Sequence, residues 1–542
     1  MRRVPPRWRA NDHRQGRGGA RSTIVGLSRK DEDAMRIRRL LALLPLLLAP
    51  LAHAGEPVAD AHRLVDEAMQ AMGGRALSSI GTARVQAIVS RNMLEQSIRP
   101  EGPWIVDTQA MDLVLDFDRA RVVETTTRQG RLAALGDPAE ASPPVRRATA
   151  GGVAAMRVGD GAYAPASRAQ LQDADDWLAF NPLRVLSTAA AARDLHVDGE
   201  AVRHGVAQRV LAWTRHDAPV RLYLDAATHL PSAVAWTAPR PADVFWGAWG
   251  DVATELSFEN WVLLDDGLRM PTQWNFVRNG QPDRTLQVHA LDRGFTPDEA
   301  DWRFDDALRA KFAALPADID QVPFGLPGQA PVALPGGGML VPGRWNVAFV
   351  PQADGVVVIE VPISGGYSRQ AIEAAQRMFP KLPVKAVVST SDAWPHIAGL
   401  REYAARGIPI HLLDLDRPIV ERLLTAPHAQ RSDALARQPR DALLREVAAP
   451  TTLGKGEDRI VLLPLRTATG ERQMLVAMPG RGLLYTSDLV QPTGDGGWYS
   501  PETRLELRTR LRALGLAPRT CFGMHYAPVP CASLLDGIPG AR

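Results

Sequence analysis

Val387-Val-Ser-Thr-Ser-Asp-Ala-Trp-Pro-His-Ile-Ala-Gly-Leu-Arg401 decides the reading of this 542-residue chain. The stretch opens with β-branched residues that suit a buried strand. Ser389 to Pro395 then interrupts the pattern with polar residues and a proline, which fixes φ and removes an N–H. From Ile397 to Arg406 the spacing predicts a helix. A strand, a short loop holding Asp392 and His396, and a helix make a scaffold that can aim side chains at a ligand. Trp394-Pro395 either stiffens that loop or shapes a pocket in it.

Outward from this loop, residues 345–542 alternate strands and helices. Trp345–Val350 and Gly355–Ile363 read as strands joined at Asp354-Gly355, a strong turn signal. The helix Ser368–Phe379 and the strands Val384–Ser389 and Ile408–Leu413 follow. Later come the strands Arg459–Leu465, Gln473–Met478 and Leu483–Ser487, the helix Glu502–Leu514, and a last strand near Thr520–Met524.

This order, with the phrases Asp354-Gly-Val-Val-Val-Ile-Glu360 and Leu483-Leu-Tyr-Thr-Ser-Asp-Leu489, resembles the metallo-β-lactamase superfamily. The loop of that superfamily reads Thr-His-x-His-x-Asp-His-x-Gly-Gly-Leu. Thr390 keeps the Thr and His396 the last His, whereas Ser391 and Ala393 stand at the first two His and Pro395 replaces the Asp. The resemblance implies an αββα sandwich and two metals, usually zinc, held by His and Asp from separate loops to generate hydroxide at neutral pH. Asp488 matches the bridging Asp, and His525, in Gly523-Met-His-Tyr526, matches the final His. The middle His falls in Thr467-Ala-Thr-Gly470, where none occurs.

His396, Asp488 and His525 form a set suited to one divalent ion, zinc or else iron or manganese, with open positions. Asp392 is the candidate replacement ligand or base for bound water. Each residue also has a plainer explanation: a strand-end His can bond neighbouring backbone, and Asp488 can cap a turn. Two functions remain open. One is a hydrolase with a reduced, mononuclear site acting on an ester, amide, thioester or lactone. The other is a catalytically inactive relative, without metal, serving as a periplasmic ligand-binding or envelope-assembly module. No G-x-S-x-G, C-x-x-C, H-E-x-x-H or Walker loop occurs.

Residues 55–315 have a different character. An amphipathic helix is predicted over Ala59–Met72, stopped by Gly73-Gly74. Strand-like runs follow, and Asp266-Gly267 marks a turn between two of them. Nine of the thirteen Trp lie between Trp104 and Trp302. The pattern resembles the antiparallel half-barrel of periplasmic lipoprotein-carrier domains. Its aromatics either fill the core of a curved sheet or line a concavity for a small-molecule or acyl ligand. Residues 316–344, rich in Pro and Gly, read as a linker. The fold class expected is α+β.

The first 54 residues carry 12 Lys/Arg against 4 Asp/Glu, and the remainder 51 against 56, a net of −5. The basic balance therefore belongs to the leader and gives no argument for nucleic acid. Met35-Arg-Ile-Arg-Arg39, the apolar Leu40–Leu51 and Ala52-His53-Ala54 read as a signal peptide over 35–54, too short for a membrane span of about 20 residues. Residues 1–34 read as disordered or as an early start. The mature chain is expected in the periplasm without a transmembrane segment. There Cys521 and Cys531 could pair, or remain two buried thiols.

Overall fold

The computed structural model describes residues 58–96, 101–130, 142–468, 472–493 and 496–538. The expected signal segment and the residues before it lie outside them. Thirteen antiparallel strands between Thr82 and Arg293 form one sheet. The chain meanders outward from Thr82–Asn92 to Ala164–Pro165. After two helices, Ala169–Phe180 and Val185–Ala190, it resumes at the opposite edge with His196–Arg203 and meanders back to Gln281–Arg293, which pairs with the first strand.

Period-two alternation sets the inner face: in the first strand Ala83, Val85, Ala87 and Val89 are buried, while Arg84 and Ile88 between them are exposed. The helix Val58–Met72 packs onto this core through Leu64, Val65, Ala68 and Met72. It stops at Gly73 (φ +123°), where a Cβ would lie 2.8 Å from the carbonyl oxygen of Gly267. Trp177, Trp213, Trp236 and Trp274 are buried in the same core. These four indoles fill the core of the curved sheet.

The Pro/Gly segment 316–344 is not an unstructured linker. It holds a 3₁₀ turn, Ile319–Gln321, and two strands, Val332–Leu334 and Gly338–Val341, at the edge of the next sheet. Gly336 and Gly337, at φ +76° and +79°, turn this hairpin.

From Val332 to Val447 seven strands form a mixed sheet, and from Thr451 to Pro530 six strands form a second. Strand alternation sorts the second sheet onto two faces. Leu462, Met474, Val476 and Tyr485 meet Phe349 and Val357 of the first sheet in one core, while Leu463, Leu465, Leu475 and Leu484 meet Leu507 and Leu511 of the helix Pro501–Ala513. Helices Gly365–Met378, Leu400–Ala405 and Arg417–Leu424 pack on the first sheet through Ala371, Ala375, Leu400 and Val420. The expected αββα sandwich is present, and the fold is α+β. Among the described residues no helix is long and apolar enough to cross a membrane.

Candidate metal centre

The loops at one end of the sandwich bring together His396, Asp488 and His525, whose potential ligand atoms all lie within 4.8 Å of one another. His396 sits on the single-turn helix Trp394–Ile397, entered through Pro395. Asp488 follows Ser487 (φ +57°) beyond the strand Leu483–Tyr485, and His525 follows Thr520–Phe522. The Asp488 carboxylate faces an imidazole with each oxygen: Oδ1 is 2.5 Å from His525 Nε2 and Oδ2 is 3.8 Å from His396 Nε2.

Hydrogen bonds between the loops fix this arrangement. The Thr390 hydroxyl lies 2.7 Å from the Ser487 hydroxyl and donates to the Glu360 carboxylate, which burial pushes up to about 8. Met524 N–H donates to the Ser487 carbonyl. Asn346 clamps the His525 loop, its side-chain amide donating to the carbonyls of Gly523 (3.0 Å) and Tyr526 (3.1 Å). The disulfide Cys521–Cys531 closes the segment that contains His525. Thr390 was legible from the superfamily pattern. Asn346 and Ser487 were not, because their contacts cross 177 residues in one case and 97 in the other.

Electrostatics favour the ligand forms. Burial drives the His396 imidazole down to about 4, so the ring is neutral near pH 7. Burial alone would raise Asp488, but the nearby His396 and hydrogen bonds from His525 and Gln491 hold it below the usual carboxylate range.

The donor set fits a divalent ion. His396 Nδ1 is buried with no hydrogen-bond partner, and its Nε2 stands too far from Asp488 for a hydrogen bond. A tetrahedral ion bound at about 2.1 Å spaces its ligands by about 3.4 Å. Ligation would therefore open the His525–Asp488 contact slightly and close the His396–Asp488 gap. It would also require the His525 Nε2 proton to leave or move to Nδ1. The side chains of Asp488 and His525 retain 15% and 22% exposure, which leaves the cluster open on their side.

Asp392 does not join this group. Its carboxylate is fully buried, 3.8 Å from Arg472, and both oxygens lack hydrogen-bond partners. Burial first, and Asp416 second, raise it well above the usual range. The neighbouring Trp394 explains the direction of the loop. Its ring packs edge-on against Trp246 (4.7 Å) and Trp249 (4.8 Å), and its backbone N–H donates to the Glu95 carbonyl. Trp394 thus fastens the loop to the N-terminal region. Ser391 and Ala393 are buried, with the Ser391 hydroxyl accepting the Ala393 N–H.

Solved structures resemble this chain over part of its length. A metallo-β-lactamase from Pontibacter korlensis is 14% identical and aligns over 39% of this chain and 99% of its own, with a TM-score of 0.30. One from Pseudomonas aeruginosa, in a mono-zinc form, gives 12%, 40%, 94% and 0.30. A structure from Vibrio parahaemolyticus described as an outer membrane lipoprotein-sorting protein domain gives 12%, 46%, 97% and 0.28. No protein-family model and no curated protein matches the chain.

Proposed function

We propose that this protein is an exported hydrolase dependent on a single divalent ion held by His396, Asp488 and His525. The observation that carries this reading is the convergence of three ligand atoms, from three separate loops, within 4.8 Å. Two imidazoles and one carboxylate suit zinc, and also iron or manganese. When bound, the ion supplies Lewis acidity toward water and a carbonyl oxygen.

The chain's own residues hold the donors and leave one side open. Asn346 and the Cys521–Cys531 bridge fix His525, while Thr390 and Ser487 join the loops of His396 and Asp488. Asp488 accepts a hydrogen bond from His525 Nε2 within the cluster, and Asp392 faces Arg472 instead. The substrate class is an ester, amide, thioester or lactone. The test is hydrolysis of one compound of each kind, before and after chelation and after restoring zinc, iron or manganese. Activity toward at least one, lost on chelation and in His396→Ala, supports the reading. A metal-loaded protein inert toward all four leaves the inactive, ligand-binding relative as the better account.

Export is supported by the basic n-region, the apolar run and the Ala52-His53-Ala54 site, and the disulfide suits an oxidising compartment. The exported chain should have the intact mass of a protein beginning at Gly55. A full-length mass in the periplasmic fraction would contradict cleavage there.

A further inference from the structure

The helices Ala169–Phe180 and Val185–Ala190 and the end of the strand Val206–Arg215 enclose a groove of about 630 Å³, a volume suited to a small ligand. Its floor is apolar. Phe117, Leu178 and Ala192 line it and pack on the core of the N-terminal sheet, where Trp213 also forms part of the wall. Trp213 is only 3% exposed, and its indole N–H is buried without an acceptor.

The rim is charged, and its charges do not cancel. The ionisable groups lining it are Arg184, Arg193, Arg215, His216, Asp175 and Asp194. Arg215 donates two hydrogen bonds to Asp175, and His216 Nε2 stands 3.6 Å from the same carboxylate. Asp194 accepts the backbone N–H of Thr214 at 2.9 Å. Among the described residues, Arg184 and Arg193 make no ion pair and donate no side-chain hydrogen bond. With Arg215 and Asp175 matched, two guanidiniums face one carboxylate, a surplus of one positive charge before His216 is counted.

An exposed arginine alone is a solvated group, and Arg193 is of that kind. Arg184 differs. It is half-buried, and its guanidinium lies 4.9 Å over the ring of Phe117, at the floor of the groove. A planar fork of N–H donors held against an aromatic face is suited to receive a carboxylate or phosphate.

We propose that this groove binds an amphipathic organic anion, a carboxylate or phosphate on an apolar body. Arg184 is the anchor of the acid group and Arg193 its weaker partner, while Phe117 and Leu178 receive the apolar part. The site shares no residue with the metal centre and stands whether or not that centre is catalytic.

The test is calorimetric titration of the purified protein with octanoate, octyl phosphate and uncharged octanamide, each below the concentration at which it aggregates. At least one anion should bind, and octanamide should bind about tenfold or more weakly; which anion binds tells carboxylate from phosphate. Arg184→Gln should weaken anion binding by about tenfold or more and Arg193→Gln by less. Arg209→Gln should leave it unchanged, because Arg209 pairs with Glu200 and does not line the groove. Should Arg184→Gln fail to fold, Arg193→Glu on an exposed side chain reverses the charge of the rim and should weaken binding by about tenfold. Absence of anion binding by the folded protein, octanamide binding equal to that of the anions, or full affinity in folded Arg184→Gln or Arg193→Glu would overturn the proposal.

Discussion

Asp488 and Asp392 are carboxylates on loops of the sandwich, the first keeping 15% of its side-chain exposure and the second fully buried, and their surroundings divide them. Burial pushes both upward. At Asp488 two imidazoles and Gln491 reverse that effect and leave a charged group aimed at potential co-ligands. At Asp392 burial, with Asp416 adding to the repulsion, outweighs a single arginine at 3.8 Å and holds the carboxyl well above the usual range. The difference shows that partners, more than depth, determine whether a buried acid can serve as a ligand.

The largest effect should come from Asp488→Ala, which removes the carboxylate shared by both histidines. Metal affinity should fall by more than about 100-fold, since even supporting groups are worth about 10- to 100-fold. Competition with a chelator of known affinity measures this, and an unchanged affinity would erase the contrast between the two acids.

Next comes the residue that separates them. Trp394→Ala removes a buried indole from the Trp246–Trp249 cluster and should cost about 3–5 kcal/mol by denaturant titration. A loss below 1 kcal/mol would mean that the loop is held elsewhere. The double variant Cys521→Ser, Cys531→Ser frees a segment with a separation of 10 residues and should lose about 3 kcal/mol. It should also bind metal less tightly than the parent, because the freed segment carries His525.

The smallest effect is expected from Asp392→Asn, which mimics the protonated form. A carboxyl raised in the folded state contributes stability present below its unfolded value, near 3.8, and lost as pH rises through the folded value. The wild type should therefore lose stability on going from acid toward neutral pH where the Asn variant loses less, with metal binding unchanged. A variant that loses the ion would place Asp392 at the site after all.

Much of the sandwich was legible because its strands are apolar runs bounded by turn signals, such as Gln473–Met478, which the structure reproduces residue for residue. The hairpin Val332–Val341 was hidden because its strands are three and four residues long and its turn glycines look like linker. Of the site, His396, Asp488 and His525 were read from the resemblance to the superfamily's ligand pattern. The direction of Asp392 could not, because it is set by the packing of Trp394 against tryptophans about 150 residues earlier.

The most direct measurement is metal content by mass spectrometry on protein exported to the periplasm and purified without chelator, beside His396→Ala, Asp488→Ala and Asp392→Asn. The account predicts about one ion per chain in the parent and in Asp392→Asn, and none in the other two. A folded parent that carries no metal and takes up none of zinc, iron or manganese would contradict it.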